Sequence, residues 1–163
     1  MDHPRNVLFL CTGNSARSII AEALLNQMGG GRLRGFSAGS HPKGALNPTV
    51  MAFLAEKGIS TEGARSKSWD EFTAAGAPRM DFIITVCDSA AREACPIWPG
   101  RPVSAHWGVE DPAAYADDPA MARKVTEEAF RVLRRRIELL VALPMEKLDR
   151  STVHAKLKEI GER

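Results

Sequence analysis

The sequence predicts an α/β fold, a mostly parallel sheet with helices on both faces, and three observations carry that prediction. Short apolar runs alternate with amphipathic stretches of helical period along the 163 residues, the pattern of successive βαβ units. Glycine- and proline-containing loops separate them. Two of the apolar runs, 7–10 and 82–86, end directly in a cysteine. Both thiols are thereby expected at the C-terminal strand edge, where open α/β sheets bind their ligands.

Each element has a local reason. Asn6 to Leu10 reads as a buried strand because it is short, apolar and followed by a glycine-containing loop. Residues 18–28 carry a helical apolar stripe stopped by Gly29-Gly30-Gly31. A second strand is expected over 32–38, ending at Gly39. A second helix follows over 48–57, with Pro48 in its first turn and Gly58 at its C-terminal cap. Residues 69–74 suggest a short helix, 81–87 the clearest strand after the first, and 102–107 a weaker fourth strand. A long helix over 119–142 turns Phe130, Val132, Leu133, Ile137, Leu140 and Val141 toward the core. The stretch after Pro144 reads as one more amphipathic helix. There is no internal repeat and no low-complexity segment.

Length and composition fit one soluble domain with a sizeable core. A net charge of +2 is too small to argue for nucleic acid or a membrane surface, yet it permits a small anionic substrate. No run approaches the roughly 18 apolar residues of a membrane span, and Met1-Asp2-His3-Pro4-Arg5 lacks a signal-peptide profile. A cytoplasmic protein is therefore expected. Three cysteines, an odd number, argue against a structural disulfide framework and for catalytic or redox use.

The chemistry concentrates in Cys11-Thr12-Gly13-Asn14-Ser15-Ala16-Arg17-Ser18. A loop of small residues between a strand and a helix can curl its amides inward, forming a nest for one tetrahedral oxyanion at the helix N-terminus. The helix dipole and the Arg17 guanidinium are expected to lower the Cys11 pKa and so to favour a nucleophilic thiolate. Ser18 is placed to donate a hydrogen bond to the sulfur. The plainer reading is a buried cysteine ending a strand beside a solvated arginine.

Two further clusters matter. Cys87 and Cys95 stand eight positions apart, one at a strand end and one before Pro96. They suit a relay in which Cys87 attacks a sulfur adduct on Cys11 and Cys95 then attacks the resulting disulfide. The alternative is two ordinary buried thiols. In His106-Trp107-Gly108-Val109-Glu110-Asp111-Pro112, Asp111 is placed either as a general acid for a departing oxygen or merely as the cap of the following turn. His106 reads as a hydrogen-bonded structural residue, and Trp98 and Trp107 as packing. A zinc site from Cys11, Cys87, Cys95 and His106 lacks the close ligand pair that structural zinc favours, and no metal is expected.

These motifs resemble the low-molecular-weight protein tyrosine phosphatase superfamily, and within it the bacterial arsenate reductases that use a thiol relay. The resemblance spans residues 6–142. It rests on Cys11 to Ser18, Ser37-Ala38-Gly39, Thr85-Val86-Cys87, Cys95-Pro96 and His106-Trp107 with Asp111-Pro112. It implies a four-stranded parallel, Rossmann-like sheet flanked by helices, a catalytic domain over 1–143 and a helical extension of it over 144–163. It assigns Cys11 as nucleophile, Thr12, Gly13, Asn14, Ser15, Ala16 and Arg17 as the oxyanion cradle, Asp111 as general acid, and Cys87 with Cys95 as the resolving pair. The substrate it implies is arsenate, with phosphate or sulfate competing and thioredoxin or another thiol as reductant. No organic cofactor is implied.

Departures from the phosphatases point the same way. Ala16 stands where they usually carry a second cysteine, and Ala113-Ala114-Tyr115 replaces the aromatic residues that directly follow their Asp-Pro. The spacing from Cys87 to Cys95 is one residue longer than in the thioredoxin-coupled form. Some of these reductases bind potassium beside the loop. Asn14, Glu22 and Ser37 match part of that site, but Lys67 stands where an acidic residue is expected. The rival readings are a phosphatase that hydrolyses aryl phosphates through a phosphocysteine, and a non-catalytic redox sensor or arsenical-binding protein.

Overall fold

The computed structural model describes residues 4–88 and 98–162. Four strands, β1 (Arg5–Leu10), β2 (Leu33–Ala38), β3 (Phe82–Thr85) and β4 (Val103–His106), form one parallel sheet in the order β2-β1-β3-β4. The α-helices among the described residues are α1 (Arg17–Met28), α2 (Pro48–Glu56), α3 (Pro119–Val141) and α4 (Arg150–Gly161). The expected short helix after residue 68 is a single 3₁₀ turn, Trp69–Phe72.

β1 lies between two neighbours and is buried on both faces, which is why its apolar run is continuous rather than alternating. Val7 and Phe9 join the larger core with apolar side chains of all four helices, while Leu8 and Leu10 face a smaller cluster closed by Phe72, Met80 and Ile83. Phe9 meets the Trp107 ring at 6.2 Å between centroids. α4 packs on the edge strand β4. Leu157 is fully buried, and its carbonyl accepts from Trp107 Nε1 at 3.0 Å.

One boundary, two expected core residues and one buried arginine differ from the sequence reading. β3 stops at Thr85 rather than at residue 87, because its partner β1 ends at Leu10 and leaves the sheet. Val86 keeps one bond to β1, its amide donating to the Leu10 carbonyl at 2.9 Å, and its own carbonyl accepts the Val109 amide at 3.2 Å. On α3, Val132 and Val141 are only half-buried, whereas Arg136 is 7% exposed. Its Nη1 reaches the Gly108 carbonyl at 3.2 Å, so the long side chain spans the core to the loop after β4.

Candidate active site

The chain runs from β1 outward to β2 and then returns to the other side of β1 as β3. The strand order therefore reverses between β1 and β3, and ligands of open α/β sheets bind at such a reversal, beyond the carboxyl ends of the strands. Leu10 pairs with Thr85 across this boundary. Cys11 follows the first strand by one residue and Cys87 the second by two. The structure brings these thiols into contact: both are buried, Cys11 is hydrogen-bonded to Cys87, and the Thr12 amide donates to Cys87 Sγ at 3.4 Å.

The loop from Thr12 to Ala16 is held from outside. His41, Lys43 and Asn47 donate their amides to the carbonyls of Thr12, Gly13 and Ser15 at 2.9–3.0 Å, and Ser66 Oγ donates to the Gly13 carbonyl at 3.2 Å. Among the described residues, the amides of Gly13, Asn14, Ser15 and Ala16 meet no protein acceptor. Helix α1 starts at Arg17 without a side-chain cap, whereas Asn47, Asp118 and Asp149 cap the other three helices. Open amides over an uncapped helix N-terminus suit a bound anion.

Gly39 makes this closeness possible. A Cβ there would lie 2.4 Å from the Thr12 carbonyl oxygen and 2.6 Å from that of Cys11. Asn14 takes φ +44° in the left-handed region, which asparagine tolerates better than most side chains. Its amide group is fixed at both ends: Nδ2 donates to Ser18 Oγ at 2.8 Å and Oδ1 accepts the Lys67 amide at 2.9 Å. Ser18 Oγ, an acceptor there, retains its own proton for donation.

Arg17 reaches across to the loop after β4. Nη2 lies 3.2 Å from Asp111 Oδ2 and Nη1 donates to the Val109 carbonyl at 3.1 Å, while buried Nε has no partner among the described residues. Asp111 turns Oδ2 toward this guanidinium and caps the following turn through Oδ1, which accepts the Ala113 amide at 2.9 Å. The expected pull of Arg17 on the Cys11 pKa meets opposing effects in this arrangement. The hydrogen bond with Cys87 and then burial push the Cys11 thiol well above the usual cysteine range, against the opposing pull of Arg17.

A cleft of about 650 Å³ opens beside these groups, bordered by Arg17, Cys87, Asp88, His106, Glu110 and Asp111. Its carboxylates are all engaged. Asp88 Oδ1 meets His106 Nε2 at 2.9 Å, Asp111 meets Arg17, and Glu110 accepts the Tyr115 hydroxyl. Thr85 Oγ1 lies 2.7 Å from His106 Nδ1. Asp88 and Thr85 thus occupy both ring nitrogens of His106. Cys95 lies outside the described residues.

The residues that match a potassium site do not fit one here. Lys67 Nζ is 3.5 Å from Ser37 Oγ, and the Lys67 amide already occupies Asn14 Oδ1. The position holds a cation of its own. Sequence reading missed Ser66, the amides of His41, Lys43 and Asn47, and the Val109 carbonyl. The sequence signal nearest to them is Gly39, the close-approach glycine beside the loop.

The profile of the low molecular weight phosphotyrosine protein phosphatase family matches residues 6–154. An arsenate reductase of Halalkalibacterium halodurans is 35% identical over 129 residues, 79% of this chain and 84% of that protein. The crystal structure of arsenate reductase from Archaeoglobus fulgidus superposes with TM-score 0.62 at 30% identity, covering 81% of this chain and 98% of that one. A thioredoxin-dependent arsenate reductase from Corynebacterium glutamicum superposes with TM-score 0.57 at 27% identity, covering 85% and 64% respectively.

Proposed function

Since the chain belongs to the low molecular weight phosphotyrosine protein phosphatase family, we propose that it reduces arsenate to arsenite, with electrons relayed through its three cysteines to an external thiol. The observation that carries this reading is the contact between Cys11 and Cys87. Phosphoryl transfer through one cysteine needs no electrons, whereas two adjacent thiols supply the two that arsenic(V) must accept.

Arsenate docks on the open loop amides and on Arg17, whose unpartnered Nε–H offers a further donor. Cys11 sulfur bonds to arsenic as one hydroxide departs, and the thiol proton with that hydroxide makes one water. Asp111, beside Arg17, is the group that passes the proton. Cys87 then attacks Cys11 sulfur, forming the Cys11–Cys87 disulfide while the sulfur–arsenic bond breaks, its electron pair reduces arsenic to arsenite, and the Cys87 proton passes to the departing arsenite. Cys95 attacks Cys87, frees Cys11 as a thiol and leaves a Cys87–Cys95 disulfide for thioredoxin or another dithiol. Ser18 steadies the leaving Cys11 sulfur by donating its hydroxyl proton. Phosphate and sulfate, tetrahedral anions of similar size, compete for the loop. Among the described residues no helix is long and apolar enough to cross a membrane. The thiol relay suits a reducing compartment, and we place the enzyme in the cytoplasm.

The test is arsenate-dependent oxidation of reduced thioredoxin, run beside hydrolysis of an aryl phosphate. Cys11→Ser and Cys87→Ser should both lose arsenite production. Cys95→Ser should yield roughly one arsenite per protein and accumulate the Cys11–Cys87 disulfide, read by mass mapping. Sustained turnover by Cys87→Ser, or aryl phosphate hydrolysis with no arsenite, would overturn the proposal in favour of the phosphatase. Stoichiometric binding without turnover would favour the sensor.

A further inference from the structure

Behind the loop lies a charged network that the proposed chemistry does not use. Lys67 is only 8% exposed. Its Nζ donates to the Arg65 carbonyl at 2.9 Å and to Ser37 Oγ at 3.5 Å, and Ser37 Oγ in turn donates to Glu22 Oε1 at 2.5 Å. The backbone of the same lysine holds the loop. Its amide donates to Asn14 Oδ1, and its carbonyl accepts the Gly39 amide at 2.9 Å. One residue thus joins a buried carboxylate to the left-handed turn of the anion loop.

We infer that Lys67 is a built-in cation for the oxyanion site, a positioning residue whose ammonium takes the place of a bound monovalent ion and offsets Glu22 beneath the loop. Burial disfavours the charged form of both groups, and the opposite charge of each favours the ionised form of the other. Without the ammonium, the Glu22 charge would face an incoming dianion through low-dielectric protein, with little solvent screening between them. With it, the loop needs no potassium. The inference rests on the anion-binding part of the proposed function and not on its electron transfer.

The experiment measures the dissociation constant of inorganic phosphate by calorimetry, at constant ionic strength, in potassium, sodium or choline chloride. Wild-type affinity should be the same in all three. Lys67→Met should weaken phosphate binding on the order of tenfold. The double variant Glu22→Gln with Lys67→Met, neutral at both positions, should recover most of that loss. A merely structural lysine would give no such recovery. Wild-type affinity that rises when potassium replaces choline, or Lys67→Met with unchanged affinity, would overturn the inference. A protein that binds phosphate as described yet makes no arsenite would defeat the reductase reading alone.

Discussion

Glu22 shows how a single residue ties the site to stability. Burial is the largest cause holding its carboxyl above the ordinary range, against the Ser37 hydroxyl and the Lys67 ammonium. The folded protein therefore keeps this proton more tightly than the unfolded chain. The stabilisation from the bound proton is fully present below the unfolded pKa and is lost as pH rises through the folded one. Glu22→Gln should accordingly gain stability relative to wild type between about pH 4 and about pH 7, as compared by urea midpoints at the two pH values. A difference that stays flat or falls with pH would contradict the buried-carboxylate assignment. Cys11 and Arg17 were legible in the sequence because their geometry is local, one strand end and one helix start. Ser66 and Val109 were not, since their bonds to Gly13 and Arg17 close over 53 and 92 residues, and Lys67, whose bond to Asn14 closes over 53, was singled out only through the family resemblance. Nor does local sequence reveal that a neighbouring thiol raises the Cys11 pKa instead of letting Arg17 lower it.

Elements were read more fully than contacts. Pro48 and Pro119 stand in the first turns of α2 and α3, and side-chain caps at Asn47, Asp118 and Asp149 open α2, α3 and α4, all of them local signals. What escaped was how elements end on one another: β3 shortens because β1 departs, and α3 buries an arginine because Gly108 presents a carbonyl to it. The docking of α4 is another such contact. Gly161 sits so close to β4 that a Cβ would lie 2.5 Å from the His106 carbonyl oxygen, which draws the helix against the rim of the cleft. Leu157→Ala should cost about 2–5 kcal/mol, whereas Lys158→Ala on the exposed face should change stability by less than about 0.5 kcal/mol. Urea denaturation followed by tryptophan fluorescence reports both, because Trp107 binds the Leu157 carbonyl. Equal losses would mean that α4 is not anchored through its buried face.

At the scale of the whole molecule, burial on both faces makes β1 the centre of cooperativity. Its amides at Val7 to Leu10 should exchange with solvent only through global unfolding, and those facing outward on β4 through smaller openings. Native-state hydrogen exchange over a denaturant series distinguishes the two, and β1 amides exchanging as readily as β4 amides would refute the order. The fold class followed from the alternation of apolar runs and helical stripes. The strand order did not, because nothing local tells a strand on which side of β1 to dock. That order also has a consequence for redesign. The paired ends of β1 and β3, and the two loops that leave them, set the side chain at position 87 beside the sulfur at position 11. Under the proposed chemistry, the occupant of position 87 decides whether a second thiol stands within reach of Cys11. Position 87 is thus the first position an engineer would change to bring a second thiol to this loop, with a third cysteine still needed to complete the proposed relay.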